Sequence, residues 1–557
     1  MKKETQILKV FNKAARIPHT RFAKNNLWGE IGMIVNFARL YKGVADQFKD
    51  QPALINLEKN RTFTYSQIHK LTNKISHLLT DFFKLEKGDN YAVLLQNDNL
   101  SLFTHGMLKN DITISLLNYR DGVDDHIYQL NYVKPKVIFT EKANLLNKDF
   151  YLSLKELEIQ IVSFERVDLE DVYYFWVLVE EQRDDEVKAE YNADKDIIMY
   201  RFTGGTTGRG KCTQYTYRNI YGAAIQNFSQ DDQIFSDKTK FLHVSPLSHA
   251  TMAYFIPTLL KGGTNFTLNT PDLENICKAV QDHNLTGTFV VPTLLYRLLE
   301  LGLEEKYDLS SLEAVVYGAS PMSPTKLELL QSKFGNVFIQ IYGASEAFPP
   351  AVVLPKKDHL VQSEKERKKL SSAGKPVLGV ELIIVNAEGT ELKPGEIGEI
   401  WVRSDCVIPG YYLAPEETHA AFTENGFFKS GDLGYLDEDG YVYIVDRKKD
   451  MIISGGFNVY AVEVENVINS HSAVSNSVVV GVPHEEWGEM VHAEVVLKEG
   501  QEISADELIA YCKTKLGSYK VPKTIHFVQE LPTSSVGKVL RRHVKDKYWK
   551  NEGRKVH

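Results

Sequence analysis

The chain has 557 residues, more than one hydrophobic core usually organises, so two or more domains are expected. Its 65 basic and 73 acidic side chains give a formal charge of −8 without a long lysine/arginine block, which argues against nucleic acid as a partner. Four scattered cysteines, Cys212, Cys277, Cys406 and Cys512, suit neither a disulfide framework nor a zinc site, and no signal-like or membrane-length apolar run occurs, so a cytoplasmic protein with no integral membrane segment is expected.

Residues 1 to about 50 offer little beyond an amphipathic start. From Phe63, Ile68, Leu71, Ile75, Leu78, Leu79 and Phe82 recur at helical spacing, and Thr64 or Ser66 is available as a cap. Tyr91 to Leu95 and Val137 to Thr140 read as strands separated by helical stretches, the alternation that builds a mainly parallel sheet. The acidic stretch from about Leu152 to Asp194 reads as irregular.

Ile197-Ile198-Met199-Tyr200 is a buried-strand run, and after it come Thr203, Gly204, Gly205, Thr206, Thr207, Gly208 and Lys211, with Thr216 placed to cap a helix starting near Arg218. Glycines expose backbone N–H groups without Cβ obstruction, and threonine hydroxyls and an ammonium add donors, so the stretch reads as a phosphate cradle. Gly205 to Lys211 fits the spacing of a P-loop, but that loop follows its lysine with Ser or Thr to hold magnesium, and here Cys212 follows.

Downstream, apolar residues surround His249, and Met252, Tyr254 and Phe255 lie just beyond it; a lone histidine in such a setting is more often structural. Thr288 to Pro292 is a strand leading into a helix through Leu294 to Leu301, and Val315 to Pro321 repeats strand, small-residue turn and helix start. Ligands of open α/β sheets collect at such strand ends. In Tyr342-Gly343-Ala344-Ser345-Glu346 the tyrosine suits stacking on a planar ring, the serine suits a phosphate, and the glutamate is a hard oxygen ligand for magnesium. From Gly374 short strands and tight turns predict a small β subdomain containing Asp432, an acceptor suited to ribose hydroxyls. Asp446 to Asn466 reads as the joint between domains, and the last hundred residues alternate strands and helices up to Lys538.

Several of these motifs together resemble the adenylate-forming superfamily of acyl-CoA synthetases, luciferases and peptide-synthetase adenylation domains. The resemblance runs from roughly Phe63 to Arg542. It rests on the Gly-Thr-Thr-Gly cradle, Pro246-Leu247-Ser248-His249, Tyr342 to Glu346, Ser430-Gly431-Asp432, Arg447 to Asp450 and the glycine-lysine turn at Lys538. The chain departs from the family pattern at Gly210, where proline is usual, at Ser345 for threonine, at Ser430 for threonine and at Met107 to Asn118, which lacks a glycine-containing helix end.

The resemblance implies an α/β protein: a large N-terminal domain of parallel-sheet α/β subdomains with a small β subdomain, residues 1–448, and a small mobile C-terminal α+β domain, 449–557, hinged at Lys449. It implies ATP with Mg2+ and a carboxylic acid as substrates of adenylation, with CoA as thiol acceptor. Thr206 and Glu346 would serve the metal, and Gly318, Ala319 and Ser320 an adenine shelf. Asp432 and Arg447 would lie at the ribose and phosphate, and Lys538 between carboxylate and α-phosphate. His249 would be an aromatic gate, with Met252, Tyr254, Tyr317 and Ala344 around a fatty or aromatic acid, and Ser454, Gly455 and Gly456 the thiol-side loop. Loading of a separate acyl carrier protein stays open as the second reading, and an ATP-dependent binding or switch protein releasing ADP as a third.

Overall fold

In the computed structural model, which describes residues 36–203, 210–270, 272–320, 322–534 and 539–549, two large sheets carry most of the chain. One has the strand order Val172–Tyr174, Gln160–Ser163, Val137–Thr140, Asn90–Leu94, Thr113–Leu116, Ile197–Phe202 and Cys212–Thr216, parallel throughout except for the last antiparallel pair. The other has the order Lys375–Pro376, Val352–Leu354, Phe338–Tyr342, Ala314–Gly318, Gly287–Val290, Lys240–His243, Thr264–Thr267, Pro52–Asn56 and Arg61–Thr64. Its central strands are parallel and the margins antiparallel.

Strand alternation sets the layers. Tyr91 and Val93 face a core shared with Ile198, Met199, Tyr215, Val316, Ile339 and Ile341 from both sheets. Ala92 and Leu94 face a second core with Phe150 and Leu154, and Val315 and Tyr317 a third with Ile276, Leu295 and Leu327. Each sheet is therefore covered on both faces, as mainly parallel sheets require. Each fully buried Leu, Ile or Phe in these layers contributes roughly 1.5–3 kcal/mol relative to exposure.

The helices begin where hydroxyl and carboxamide side chains can take up free N–H groups. Thr64 caps Tyr65–His77 in a capping box with Gln67, and the helical rows run on through a π-turn to Phe82. Thr216 caps Tyr217–Phe228, with Asn219 completing the reciprocal pair. Near the N-terminus of the described chain, Asn36 caps Phe37–Gln47.

A four-stranded antiparallel sheet, Glu381–Val385, Gly398–Arg403, Phe428–Leu436 and Val442–Arg447, forms the expected small β unit. Beyond it a smaller α+β domain contains Phe457–Val459, Ile452–Ser454, Gly488–Leu497 and Val474–His484, with Thr524–Phe527 parallel to the long strand. The helices Ala461–Asn469 and Ala505–Lys513 share its core, and Val544 of Arg541–Trp549 packs against Val478, Val480 and Val482. All four cysteines are buried and free, and among the described residues no helix is long and apolar enough to cross a membrane.

Two expectations need correction. The stretch 152–194 is not irregular throughout, because Gln160–Ser163, Val172–Tyr174 and helix Phe175–Glu180 complete one side of the first sheet. The cradle does not lead directly into a helix either. Cys212–Thr216 returns as a strand against Ile197–Phe202 before the helix starts.

Candidate active site

Thr203 follows the strand Ile197–Phe202, and Lys211 precedes the return strand Cys212–Thr216. Thr203 donates its backbone N–H to the Lys211 carbonyl at 2.9 Å, and Lys211 donates its own to the Thr203 hydroxyl at 3.1 Å. Gly210 sits inside this closure: a Cβ there would lie 2.1 Å from the Thr203 carbonyl oxygen. The residue in the usual proline position is thus glycine because the backbone leaves no room for more. Gly204, Gly205, Thr206, Thr207 and Gly208 lie outside the described residues, as does Lys538.

Residues distant in sequence converge on this hairpin. Tyr411 pairs with Thr213 across an antiparallel bridge, and Tyr412 donates to the Cys212 carbonyl at 2.8 Å. The Lys211 ammonium lies 4.7 Å from the centre of the Tyr411 ring, within cation–π range. The Tyr411 hydroxyl donates to Glu346 Oε1 at 2.7 Å. Burial first, and then the Glu346 carboxylate, raise the Tyr411 phenol far above its ordinary range. One ring therefore connects the cradle lysine to the carboxylate expected to hold magnesium.

A second chain of contacts starts on the same turn. The Tyr342 hydroxyl donates to Asp432 Oδ2 at 2.7 Å, and Arg447 Nε lies 3.2 Å from Asp432 Oδ1. Asp432 and Arg447 are paired neighbours on adjacent strands of the four-stranded sheet, and the Asp432 N–H is held by the Ser430 hydroxyl at 3.0 Å. Burial, reinforced by Asp432, raises the Tyr342 phenol well above normal. Gly318 pairs with Ile341, one residue before Tyr342, and its missing Cβ would come within 2.5 Å of the Ile341 carbonyl. Ala319 follows with a left-handed φ of +66°, next to half-buried Ser320. Gly343 packs against Pro349 and the Ala344 N–H binds the Ala347 carbonyl at 3.1 Å, closing the turn that presents Ser345 and Glu346.

His249 is half-buried in the turn before Met252–Leu260, and its Nδ1 meets the Ser248 hydroxyl at 3.0 Å. Burial, followed by Arg201 and Arg120, pushes its pKa down to about 3, so the ring is neutral near pH 7. Met252 and Tyr254 are fully buried, and the Tyr254 ring stacks between Phe241 and Phe289. Tyr317 does not join them, which corrects the expected pocket. It lies on the opposite face from Val316 and engages Gln340 and His359 at 3.0 Å each.

Ser454 ends a strand of the C-terminal sheet, and Gly455 and Gly456 make its tight hairpin turn with φ of +56° and +82°. The Gly455 N–H binds the Trp487 carbonyl at 3.0 Å. Lys449 follows Arg447 in the turn leaving the four-stranded sheet; burial and then Arg447 lower its pKa, with Asp432 and Lys211 also within electrostatic reach.

Sequence reading missed Tyr411, Tyr215 and Arg201. Arg201 is 4% exposed, lies over the rings of Tyr215 and Phe348 at 4.9 and 5.4 Å, and donates to the Tyr215 hydroxyl, which in turn donates to the Ser345 carbonyl at 2.6 Å. An arginine inside an otherwise apolar strand run was the available signal. Among the described residues no group of three or more His, Cys, Asp or Glu side chains could cage a metal. A carboxylate with one oxygen engaged by Tyr411 instead fits magnesium held jointly with phosphate oxygens.

The AMP-binding enzyme family model matches residues 42–412, and the model of its C-terminal domain matches residues 463–538. The chain is 34% identical over 511 residues to a medium/long-chain-fatty-acid–CoA ligase of Mycobacterium tuberculosis, covering 87% of this chain and 86% of that one. It is 30% identical over 508 residues to a fatty acid–[acyl-carrier-protein] ligase of Streptomyces coeruleorubidus, covering 89% and 94%. The o-succinylbenzoate coenzyme A synthetase of Bacillus subtilis, solved with ATP and magnesium ion, superposes with a TM-score of 0.77 at 27% identity over 91% of this chain and 99% of that one. With Lys211, the Tyr342–Glu346 turn and the Asp432–Arg447 pair gathered at one place, the chain belongs to the AMP-binding enzymes, as an adenylate-forming ligase of the acyl-CoA synthetase type.

Proposed function

We propose that the enzyme activates a fatty or aromatic carboxylic acid and passes the acyl group to the thiol of CoA. A carboxylate oxygen attacks the α-phosphorus of ATP, the acyl–phosphate bond forms as the α–β anhydride bond breaks, and pyrophosphate leaves. The thiol sulfur then attacks the acyl carbon, its proton passes to solvent, and AMP leaves with the bonding pair. Both reactants of the first step are anions, so the protein's task is positioning and charge compensation. The convergence of Lys211, Glu346, Asp432 and Arg447 is the observation that carries this reading.

In this assignment Asp432 accepts from the ribose, Arg447 and Lys211 face phosphate oxygens, and Gly318 to Ser320 with Tyr342 hold the adenine. Lys538 bridges carboxylate and α-phosphate. Glu346 and Thr206 would hold magnesium, which would neutralise the triphosphate charge when bound. His249, Met252, Tyr254 and Ala344 border the acyl chain, with a neutral imidazole suiting an apolar guest. Residues 1–448 form the ATP- and acyl-binding domain and 449–557 the domain that turns about Lys449, bringing the Ser454–Gly456 hairpin to the thiol side. The setting is cytoplasmic.

A carrier-protein phosphopantetheine is the second acceptor reading, favoured by the similarity to the acyl-carrier-protein ligase. Pyrophosphate release measured over a panel of acids, with CoA, with holo-carrier protein and without either, tests the whole reading. Acid-dependent AMP and pyrophosphate are expected, with thioester only when CoA is present. ADP and phosphate as products would overturn it, and thioester only on the carrier would select the second reading.

A further inference from the structure

A half-buried ionic knot joins the two ends of the C-terminal domain. Arg541, at the start of the helix Arg541–Trp549, grips Glu465 of the helix Ala461–Asn469 with one nitrogen at 2.7 and 2.8 Å from the two carboxylate oxygens. Its other terminal nitrogen lies 3.2 Å from Asp450 and 3.5 Å from Asp446. These two aspartates stand on either side of Lys449. The Arg541 side chain is 18% exposed and that of Asp446 1%. Burial works against the Arg541 charge, but Glu465, Asp446 and Asp450 outweigh it and raise its pKa.

Two of the three carboxylates also fix backbone. Asp446 accepts the Ala461 N–H at 2.5 Å and the Arg447 N–H at 2.8 Å, and Glu465 accepts the Val479 N–H at 2.8 Å. The chain just before Arg541 is itself pinned: Thr533 and Val539 form an antiparallel bridge, and the Leu540 N–H binds the Pro532 carbonyl at 2.8 Å. Lys538 stands in sequence within the segment that this bridge closes, three residues before Arg541.

We propose that Arg541 is a positioning residue that fastens the Thr533–Val539 bridge, between whose ends Lys538 stands in sequence, to the turn around Lys449, so that turning the domain and delivering or withdrawing Lys538 are one rigid motion. The fork geometry of a guanidinium allows contact with three carboxylates from three different segments, which a point-charge ammonium does poorly. Asp446 lies before Lys449 and stays with the large domain when the small one turns, whereas Asp450 and Glu465 travel with Arg541. The Asp446 contact is therefore the part of the knot that rotation must remake. This inference rests on the proposed role of Lys538 in adenylation.

The experiment compares Arg541→Met, Arg541→Lys, Glu465→Gln and Lys538→Ala in the full chain. It uses the best acid of the panel and that acid's synthetic adenylate, and it measures acid-dependent pyrophosphate release separately from thioester formation on supplied adenylate with CoA. Misplacing a reacting group by about 1 Å costs about 10²-fold in rate. Arg541→Met is accordingly expected to lower kcat for pyrophosphate release about 10²-fold, with KM for ATP and thioester formation from the adenylate unchanged. Arg541→Lys should recover part of the loss, and Glu465→Gln, which keeps the two aspartates, should lose less in the same half-reaction. If Arg541→Met does not accumulate folded, Glu465→Gln decides alone. An equal fall in both half-reactions, or undiminished adenylation, overturns the inference. Undiminished adenylation in Lys538→Ala overturns the underlying reading and the inference with it, whereas loss there alone removes only the role of Arg541.

Discussion

Tyr411 places its ring against a cation and its hydroxyl on an anion, so its two ends are separable by mutation. Tyr411→Phe keeps the surface beneath Lys211 and removes the hydrogen bond that orients Glu346. Loss of such an outer contact typically weakens metal use about 10- to 100-fold. The magnesium concentration for half-maximal pyrophosphate release is expected to rise by that order while saturating magnesium restores the rate; an unchanged magnesium titration would count against Glu346 as the ligand. Lys538→Ala belongs to the same scale. Removing one preorganised donor at a developing anion costs about 10²–10³ in rate, so adenylation should fall by that factor while ATP binding, measured by equilibrium titration, survives.

Among the elements, the helix Tyr217–Phe228 shows how local chemistry reaches the site. Thr216→Ala removes the cap and is expected to cost about 1 kcal/mol. Asn219→Ala should cost more, because the Asn219 carboxamide also donates to the carbonyls of Asp405 and Val407, at 2.8 and 3.0 Å. Buried acceptors left unpaired cost about 1–3 kcal/mol each. Thermal unfolding midpoints check the ranking, and equal shifts for the two variants would contradict it. The Thr216 cap was legible in the sequence and Thr64 was one of the two caps offered there, since both stand before apolar runs, and the strands at Val137–Thr140 and Ile197–Phe202 announced themselves by apolar content. The strands Gln160–Ser163 and Val172–Tyr174 did not, because only two or three apolar residues stand among acidic neighbours. Tyr317 was misassigned where alternation alone decides: Val316 faces one core, so its neighbour must face the other. Tyr411 was invisible for a different reason, being 65 residues from the carboxylate it binds.

For the molecule as a whole, five histidines shielded from solvent set the response to acid. Burial is the first cause that pushes His243, His359 and His492 down to about 4 and His105 and His249 to about 3. Between pH 6.5 and those values the unfolded chain takes up protons that the folded chain refuses, so stability falls as pH drops through that window. Glu141, raised by burial to about 7, gains over the same window and offsets one of the five. The net loss from pH 6.5 to 5.5 is on the order of 4 kcal/mol, measurable as a lower urea midpoint; a flat midpoint over that interval would refute the account. The two-domain arrangement carries its own prediction. Lys449→Pro fixes φ at the joint, and adenylate formation should persist while thioester formation stops; equal loss of both would remove the hinge from Lys449.

The four native thiols are all enclosed, and burial lifts Cys212, Cys277, Cys406 and Cys512 above the ordinary thiol range. Maleimide dyes should therefore pass them over in the folded enzyme. A pair of surface cysteines, one introduced on each side of Lys449, would be labelled selectively without first stripping the natural sulfur atoms, and energy transfer between the dyes would report whether the smaller domain swings during turnover.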